Sequence, residues 1–208
     1  MKIIAGVDEV GRGSLIGPVY AAVVILDKKI DKKLLKDSKS ISKDKRELLS
    51  KYIKKNCIWA IGKASVKEID RINILQASLL AMKRAIKKLK KKPTQVLIDG
   101  NKVPDLNNYN LKAVIKGDQK VASISAASII AKVARDKFIT TLAINNKGYG
   151  WEHNFGYGTK QHLKAIKKFG ITSITEKVSL QYPDIRYTIS SYLFLSWHKS
   201  NPINSITG

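Results

Sequence analysis

The chain has 208 residues, with 39 Lys and Arg against 16 Asp and Glu, so its formal net charge is +23. The length allows one domain with a real core, and the charge favours a polyanionic partner such as nucleic acid. A general lysine bias of the proteome would produce the same charge without any partner. A single cysteine excludes an internal disulfide and a cysteine-based zinc site. The longest apolar run, Leu15 to Leu26, is too short to cross a bilayer, and we expect a soluble cytoplasmic protein.

The first predicted strand leads directly into two carboxylates. Ile3 to Val7 is short and β-branched, and Asp8 and Glu9 follow it. Carboxylates at the end of a central strand are costly to bury unless a cation meets them. In the next turn, Gly11 to Gly13, uncovered backbone N–H groups can approach a phosphate or sugar closely. The stretch predicts a metal held by acids beside a loop that contacts a nucleic-acid backbone, and the alternative is a solvated acidic pair.

The next segments predict two strands and two helices. Val19 to Leu26 reads as a second strand, which excludes a dinucleotide-binding motif because no helix follows the glycine-rich turn. Ser42 predicts the start of a helix, and Cys57 to Ser65 reads as a third strand. A long amphipathic helix is predicted from about Val66 to Lys91. Its apolar stripe, which we interpret as core, consists of Ile72, Leu75, Leu79, Met82, Ile86 and Leu89.

The segment from Gln95 to Asp99 repeats the pattern of the first strand. If the two strands are parallel, Asp99 lies at the same sheet edge as Asp8. After a short strand, Lys112 to Ile115, Asp118 precedes a helix of small residues that can pack close to the sheet. A carboxylate suits the positive end of a helix, so Asp118 is either a site residue or a plain helix cap.

The last third of the chain offers further polar candidates. Aromatic residues among glycines around Tyr157 suit stacking on a sugar or base, although a core tyrosine in a loop would look the same. His153 and His162 invite a zinc site, but no paired metal-ligand motif surrounds them. We interpret Asp136 as structural, paired with Arg135 or a lysine.

Several of these segments, in this order, resemble ribonuclease HII of the bacterial type, a type 2 ribonuclease H. They are Asp8-Glu9-Val10-Gly11-Arg12-Gly13, Asp37-Ser38-Lys39, Ile72-Asn73-Ile74-Leu75, Ile98-Asp99-Gly100, Lys116-Gly117-Asp118, Ser125-Ala126-Ala127-Ser128 and Gly156-Tyr157-Gly158-Thr159. The resemblance covers about residues 3–174. We therefore predict a catalytic domain over residues 1–180 and a C-terminal tail of uncertain structure over residues 181–208.

The resemblance implies a ribonuclease H-like α/β fold. Its mixed five-stranded sheet has three antiparallel strands and then parallel ones, with helices on both faces, and the order of predicted elements agrees. The implied catalytic residues, which are also the implied metal ligands, are Asp8, Glu9, Asp99 and Asp118. Hard divalent ions such as Mg²⁺ or Mn²⁺ prefer such oxygen ligands, and two of them can clamp a phosphodiester during catalysis.

The implied substrate-binding residues are Gly11, Arg12, Gly13, Lys39, Asn73, Ser125 and Tyr157. Without the resemblance, Lys39 is one of many exposed lysines, and Ser125 could merely bond its own helix. The implied activity is metal-dependent hydrolysis of the RNA strand of RNA–DNA hybrids. It includes incision 5′ of single ribonucleotides in duplex DNA, as in ribonucleotide excision, which leaves 3′-hydroxyl and 5′-phosphate ends.

Two alternatives stay open. Ribonuclease HIII has the same chemistry, but it would normally carry an added N-terminal substrate-binding domain and a lysine in place of Arg12. A catalytically silent nucleic-acid-binding module would have no use for all four carboxylates, and only the divergent tail favours it. We expect a monomer without an obligate protein partner, acting on RNA–DNA hybrids and ribonucleotide-containing duplex DNA.

Overall fold

A computed structural model describes residues 2–35 and 41–176, which form one mixed sheet covered by helices. The strands are β1 (Ile4–Val10), β2 (Val19–Ile25), β3 (Ile58–Ala64), β4 (Gln95–Asp99) and β5 (Leu111–Val114). The α-helices are α1 (Lys43–Asn56), α2 (Val66–Lys87), α3 (Gly117–Lys120), α4 (Ala122–Asn145), α5 (Trp151–Asn154) and α6 (Lys160–Phe169), and a 3₁₀ turn covers Lys32–Leu35. Lys39 and the predicted tail lie outside the described residues.

The sheet has the order β3-β2-β1-β4-β5. β1, β2 and β3 are antiparallel neighbours, whereas β4 pairs parallel to β1 and β5 pairs parallel to β4. This arrangement confirms the predicted ribonuclease H-like architecture. β2 is buried along its whole length, as expected for an apolar strand in a sheet that is covered on both faces.

Two apolar cores lie on opposite faces of the sheet. On one face, α2 packs against the strands through Ile69, Ala81 and other buried residues. On the other face, α4 packs with Ile53 of α1. Helix α4, which is rich in small residues, lies very close to the sheet. A Cβ at Gly6 of β1 would collide with the backbone of the first turn of α4. The expected close packing of this helix is thus confirmed.

The long predicted helix is interrupted. Asn73, with φ 66° and ψ 165°, breaks α2 near its start, and its Oδ1 accepts a hydrogen bond of 3.1 Å from the Gln76 backbone N–H. Asparagine tolerates positive φ better than most residues, which explains why the break falls here. Within the described residues, no helix combines the length and apolar character needed to cross a membrane.

Candidate active site

A cavity of about 360 Å³ opens near the carboxyl ends of β1 and β4. All four predicted catalytic carboxylates line it, and two cationic side chains lie among them. The lining residues are Asp8, Glu9, Val10, Arg46, Asp99, Asp118, Ser128, Ile129 and Lys132. A polar cavity of this kind, at the carboxyl ends of parallel strands, is where the fold places ligands.

The parallel pairing of β1 with β4 brings the first two carboxyl groups together. Val7 is paired with Ile98, so Asp8 and Asp99 follow at equivalent positions of neighbouring strands. The Oδ1 atom of Asp99 accepts a 2.6 Å hydrogen bond from the Gly117 backbone N–H. This bond ties the end of β4 to the segment that carries Asp118.

Asp8 is held in a costly environment. Its side chain is buried, and that burial, with the charges of Glu9 and Asp99, raises the pKa of Asp8 to about 8. Hydrogen bonds from Ser128 and from the Glu9 backbone N–H, the latter at 2.7 Å, oppose this pKa rise without cancelling it. In the absence of a cation, Asp8 therefore tends to keep its proton at neutral pH.

Glu9 has one satisfied and one unsatisfied oxygen. Its Oε1 accepts a 3.2 Å hydrogen bond from the Arg12 guanidinium, whereas its Oε2 is buried without a hydrogen-bond partner in the described structure. Burial raises the pKa of Glu9 in spite of Arg12. Neighbours in a strand normally point to opposite faces, yet Asp8 and Glu9 both line the cavity. They lie within β1, just beyond Val7, the last residue that pairs with β4.

Asp118 lies in the one-turn helix α3 and is 5% exposed. Asp118 is not the N-cap residue of either neighbouring helix, because the N-caps of α3 and α4 are Lys116 and Val121. Its side chain lines the cavity together with the other three acids.

These oxygens suit hard divalent cations. Among the described residues, no group of three or more His, Cys, Asp or Glu side chains forms a ready-made metal cage. Mg²⁺ does not require such a cage, since it usually keeps several waters and binds one or two carboxylates together with substrate phosphates. The unsatisfied Oε2 of Glu9 and the raised pKa of Asp8 are what a site completed by cations would show.

The predicted substrate loop and Tyr157 lie side by side. Gly11 has φ 109°, and a Cβ at Gly13 would meet no atom within 4 Å, so this backbone is open to a ligand. Ser14 forms a β-bridge with Tyr157, whose half-buried ring lies 5.3 Å from the Lys132 ammonium.

None of the six predicted substrate-binding residues in the described part of the chain lines the cavity itself. Ser125 is buried, and its hydroxyl donates to the Leu35 backbone carbonyl, so its position does not support a contact with substrate. Ser128, one turn further along α4, lines the cavity instead. Asn73 is exposed on α2 and starts the second part of that helix.

Arg46 and Lys132 also line the cavity, although the sequence did not predict either as a site residue. Lys132 forms a 2.9 Å ion pair with Asp136 one turn along α4, which confirms the interpretation of Asp136 as a residue paired with a lysine. The four-residue spacing from Ser128 to Lys132 and from Lys132 to Asp136 places these three side chains on one face of α4, which could have identified Lys132. Nothing in the sequence distinguishes Arg46 from the other cations of α1.

The two histidines considered as zinc ligands lie in different surroundings. His162 is fully buried, its Nε2 accepts a 2.9 Å hydrogen bond from Trp151 Nε1, and its Nδ1 lies 3.0 Å from the Tyr157 carbonyl. Both ring nitrogens are thus engaged. His153 is largely exposed beside Glu152. This geometry does not support the zinc alternative.

Known proteins share the sequence family and the fold of this chain. A family model for ribonuclease HII matches residues 5–182. A ribonuclease HII of Pelagibacter ubique (strain HTCC1062) is 72% identical over 185 residues, which cover 89% of this chain and all of that protein. The solved ribonuclease H2 of Pyrococcus horikoshii OT3 is 28% identical with a TM-score of 0.73, covering 91% of this chain and 98% of that one. The RNase HII solved in a complex with PCNA from Archaeoglobus fulgidus is 26% identical with a TM-score of 0.69, covering 88% and 97%.

The sheet order and the carboxylate cavity therefore define a ribonuclease H-like nuclease. Within that class, the chain belongs to the ribonuclease HII family. It is an endoribonuclease with ribonuclease H activity, which decides against both the ribonuclease HIII alternative and the silent binding module.

Proposed function

We propose that this enzyme cuts the RNA strand of RNA–DNA hybrids, and also cuts 5′ of single ribonucleotides embedded in duplex DNA, with the help of Mg²⁺ or Mn²⁺. One observation carries the proposal: four carboxylates line a single cavity at the sheet edge, and the buried Asp8 has a pKa of about 8 there. Bound divalent cations would stabilise such a concentration of acids, because they offset the mutual repulsion of the carboxylates.

Asp8 and Asp99 would hold the ions between β1 and β4, and Glu9 and Asp118 would complete the set from either side. Bound there, two divalent ions would activate a water and stabilise the leaving oxygen of a phosphodiester. The bond from Gly117 orients Asp99, and Arg12 orients Glu9, so both carboxylates are held in place before substrate arrives.

The cations of the cavity fit the substrate. Lys132 and Arg46 lie beside the carboxylates, where they can contact the phosphates that flank the scissile bond. The net charge of +23 would attract the duplex at long range, so binding should weaken steeply with added salt. Asn73, exposed at the start of a helical segment, stays a predicted phosphate contact.

Recognition of the ribonucleotide falls to the loop and the tyrosine. The backbone of Gly11, Arg12 and Gly13 would read the 2′-hydroxyl, which is the group that distinguishes RNA from DNA. Tyr157 would pack on the neighbouring sugar, since its ring lies next to the loop through the bridge with Ser14. One ribose is then enough to define the cut.

The test uses a DNA duplex with one ribonucleotide, incubated with protein and Mg²⁺ or Mn²⁺. We expect metal-dependent cutting 5′ of the ribonucleotide, and its loss in Asp99→Asn. Asp105→Asn is the matched control, because Asp105 is an exposed aspartate in the loop after β4 and should keep full activity. If the protein cut an RNA–DNA hybrid but not the single-ribonucleotide duplex, the single-ribonucleotide proposal would be contradicted. An active Asp99→Asn variant would contradict the assigned site.

A further inference from the structure

A buried arginine connects the two segments that face the ribonucleotide. Arg135 of α4 is 0% exposed. Its Nε donates to the Pro18 carbonyl at 3.2 Å, its Nη2 to Ile16 at 2.9 Å and its Nη1 to Phe155 at 3.0 Å. The carbonyls of Ile16 and Pro18 lie three and five residues after Gly13, and the third carbonyl lies two residues before Tyr157. One guanidinium thus holds two chain segments far apart in sequence.

The contacts extend to the recognition groups themselves. A Cβ at Gly11 would lie 2.6 Å from Nε of Arg135, so the loop backbone rests on the guanidinium, and a side chain there would push it away. The ring of Tyr157 lies 5.6 Å from Cζ on another side. The two segments also touch directly, since the Leu15 N–H donates to the Gly156 carbonyl at 2.9 Å.

We propose that Arg135 is a positioning residue that sets the spacing between the Gly11–Gly13 loop and Tyr157, and so determines how well the enzyme recognises a single ribonucleotide. The proposal rests on the proposed function, which assigns the loop to the 2′-hydroxyl and Tyr157 to the neighbouring sugar. Because Arg135 fixes both the loop and Tyr157, the distance between them is set. The enzyme would therefore recognise the ribose and the neighbouring sugar together.

Lysine cannot replace arginine here. Three carbonyls accept from three different nitrogens of a planar group with fixed directions. A lysine ammonium has donors at one point only, so it can hold one segment but not both. Arg135→Lys therefore keeps the charge and removes the connection. Arg84→Lys is the matched control, because Arg84 also bonds a backbone carbonyl, that of Lys63, outside the cavity.

The first measurement is amide hydrogen exchange on the folded variants, which does not depend on activity. In Arg135→Lys we expect residues 14–17 and 155–157 to exchange at least about tenfold faster, with β1 and β4 unchanged. Arg84→Lys should change neither segment. Faster exchange in only one segment, or in neither, would overturn the proposal.

The second measurement is the ratio of kcat/KM on a single-ribonucleotide duplex to kcat/KM on an RNA–DNA hybrid. We expect Arg135→Lys to lower this ratio by roughly ten- to a hundredfold, because a hybrid offers many riboses and tolerates a displaced loop better. A purely structural role would lower both values equally, and that result would overturn the proposal. If wild-type protein does not cut the single-ribonucleotide duplex, the proposed function fails, while the exchange result still decides whether Arg135 connects the segments.

If Arg135→Lys does not fold, Gly11→Ala provides the test, since its Cβ would lie 2.6 Å from Nε of Arg135 and push the guanidinium away. Exchange should then rise at residues 155–157 as well as around residue 11. Unchanged exchange at residues 155–157 would show that the guanidinium does not couple the two segments, and would overturn the proposal.

Discussion

The acids at the end of β1 and the acid at the start of α2 have opposite surroundings. Asp8 is buried among other carboxylates, and its pKa rises to about 8. Glu68 is more exposed and fully partnered: it accepts from Arg84 at 2.6 Å and completes a capping box with Ser65. These partners lower the pKa of Glu68 to about 2. The charge at α2 supports the fold, whereas the charges at β1 are held by the fold against their own repulsion.

The difference shows which carboxylate stabilises the folded protein and which one destabilises it. The Glu68 carboxylate has hydrogen-bond partners in an arginine and in the first turn of a helix. Its loss should therefore lower the stability of the protein and leave catalysis intact. A buried carboxylate with acidic neighbours, such as Asp8, lowers the stability of the metal-free protein. Its loss should therefore raise stability and reduce catalysis. Three substitutions test this contrast.

Asp8→Asn should have the largest effect and should act in both directions. We expect cleavage to fall by roughly 10²–10³-fold, the range for loss of one electrostatic group of a catalytic site. The metal-free variant should melt at a higher temperature than wild type at pH 8 in EDTA. The raised pKa of Asp8 means that folding favours its protonated form, so wild type loses stability as pH rises from about 4 to about 8.

The stability gain of Asp8→Asn should therefore shrink as pH falls from 8 towards 4. Thermal melts in EDTA across this range check the sign, and Asp105→Asn controls for the loss of one negative charge. A variant that is less stable than wild type at pH 8 would show that Asp8 supports the fold as Glu68 does, and the contrast would fail.

Arg12→Ala should have an intermediate effect. Arg12 is half exposed and bonds Glu9. Its loss should weaken substrate binding, or the discrimination between ribonucleotide and deoxyribonucleotide, about tenfold more than it weakens the affinity for Mg²⁺. Titrations of duplex and of Mg²⁺ separate the two effects, with the exposed Arg71→Ala as control. Unchanged cleavage of the single-ribonucleotide duplex would mean that the loop assignment is wrong.

Ser65→Ala should have the smallest effect on function. Loss of this N-cap should lower the free energy of unfolding by about 1 kcal/mol, because the Glu68 backbone N–H and the Glu68 side chain both lose a partner. Chemical denaturation measures the stability change, and kcat/KM of the folded variant should equal that of wild type. A change in kcat/KM would show that the two regions are coupled.

Local patterns along the chain predicted most of the strands and helices. The strand that ends at Asp99 and the helix start at Ser42 appear as predicted, because each depends on residues close in sequence. The break at Asn73 was not predicted. A periodic apolar pattern does not reveal one residue at positive φ, and after the break α2 buries Ala77, Ala81 and Ala85 rather than the predicted stripe alone.

Sequence by itself determined the family, the sheet and the four carboxylates, since those signals consist of ordered short motifs and of strands that end in acids. Only the tertiary structure decided which other side chains join them. It brought Lys132 and Arg46 into the cavity, took Ser125 out of it, and placed Arg135 between two segments about 120 and 20 residues away in sequence. The physical reason is that charge, burial and hydrogen-bond partners depend on distances in space, and packing sets those distances.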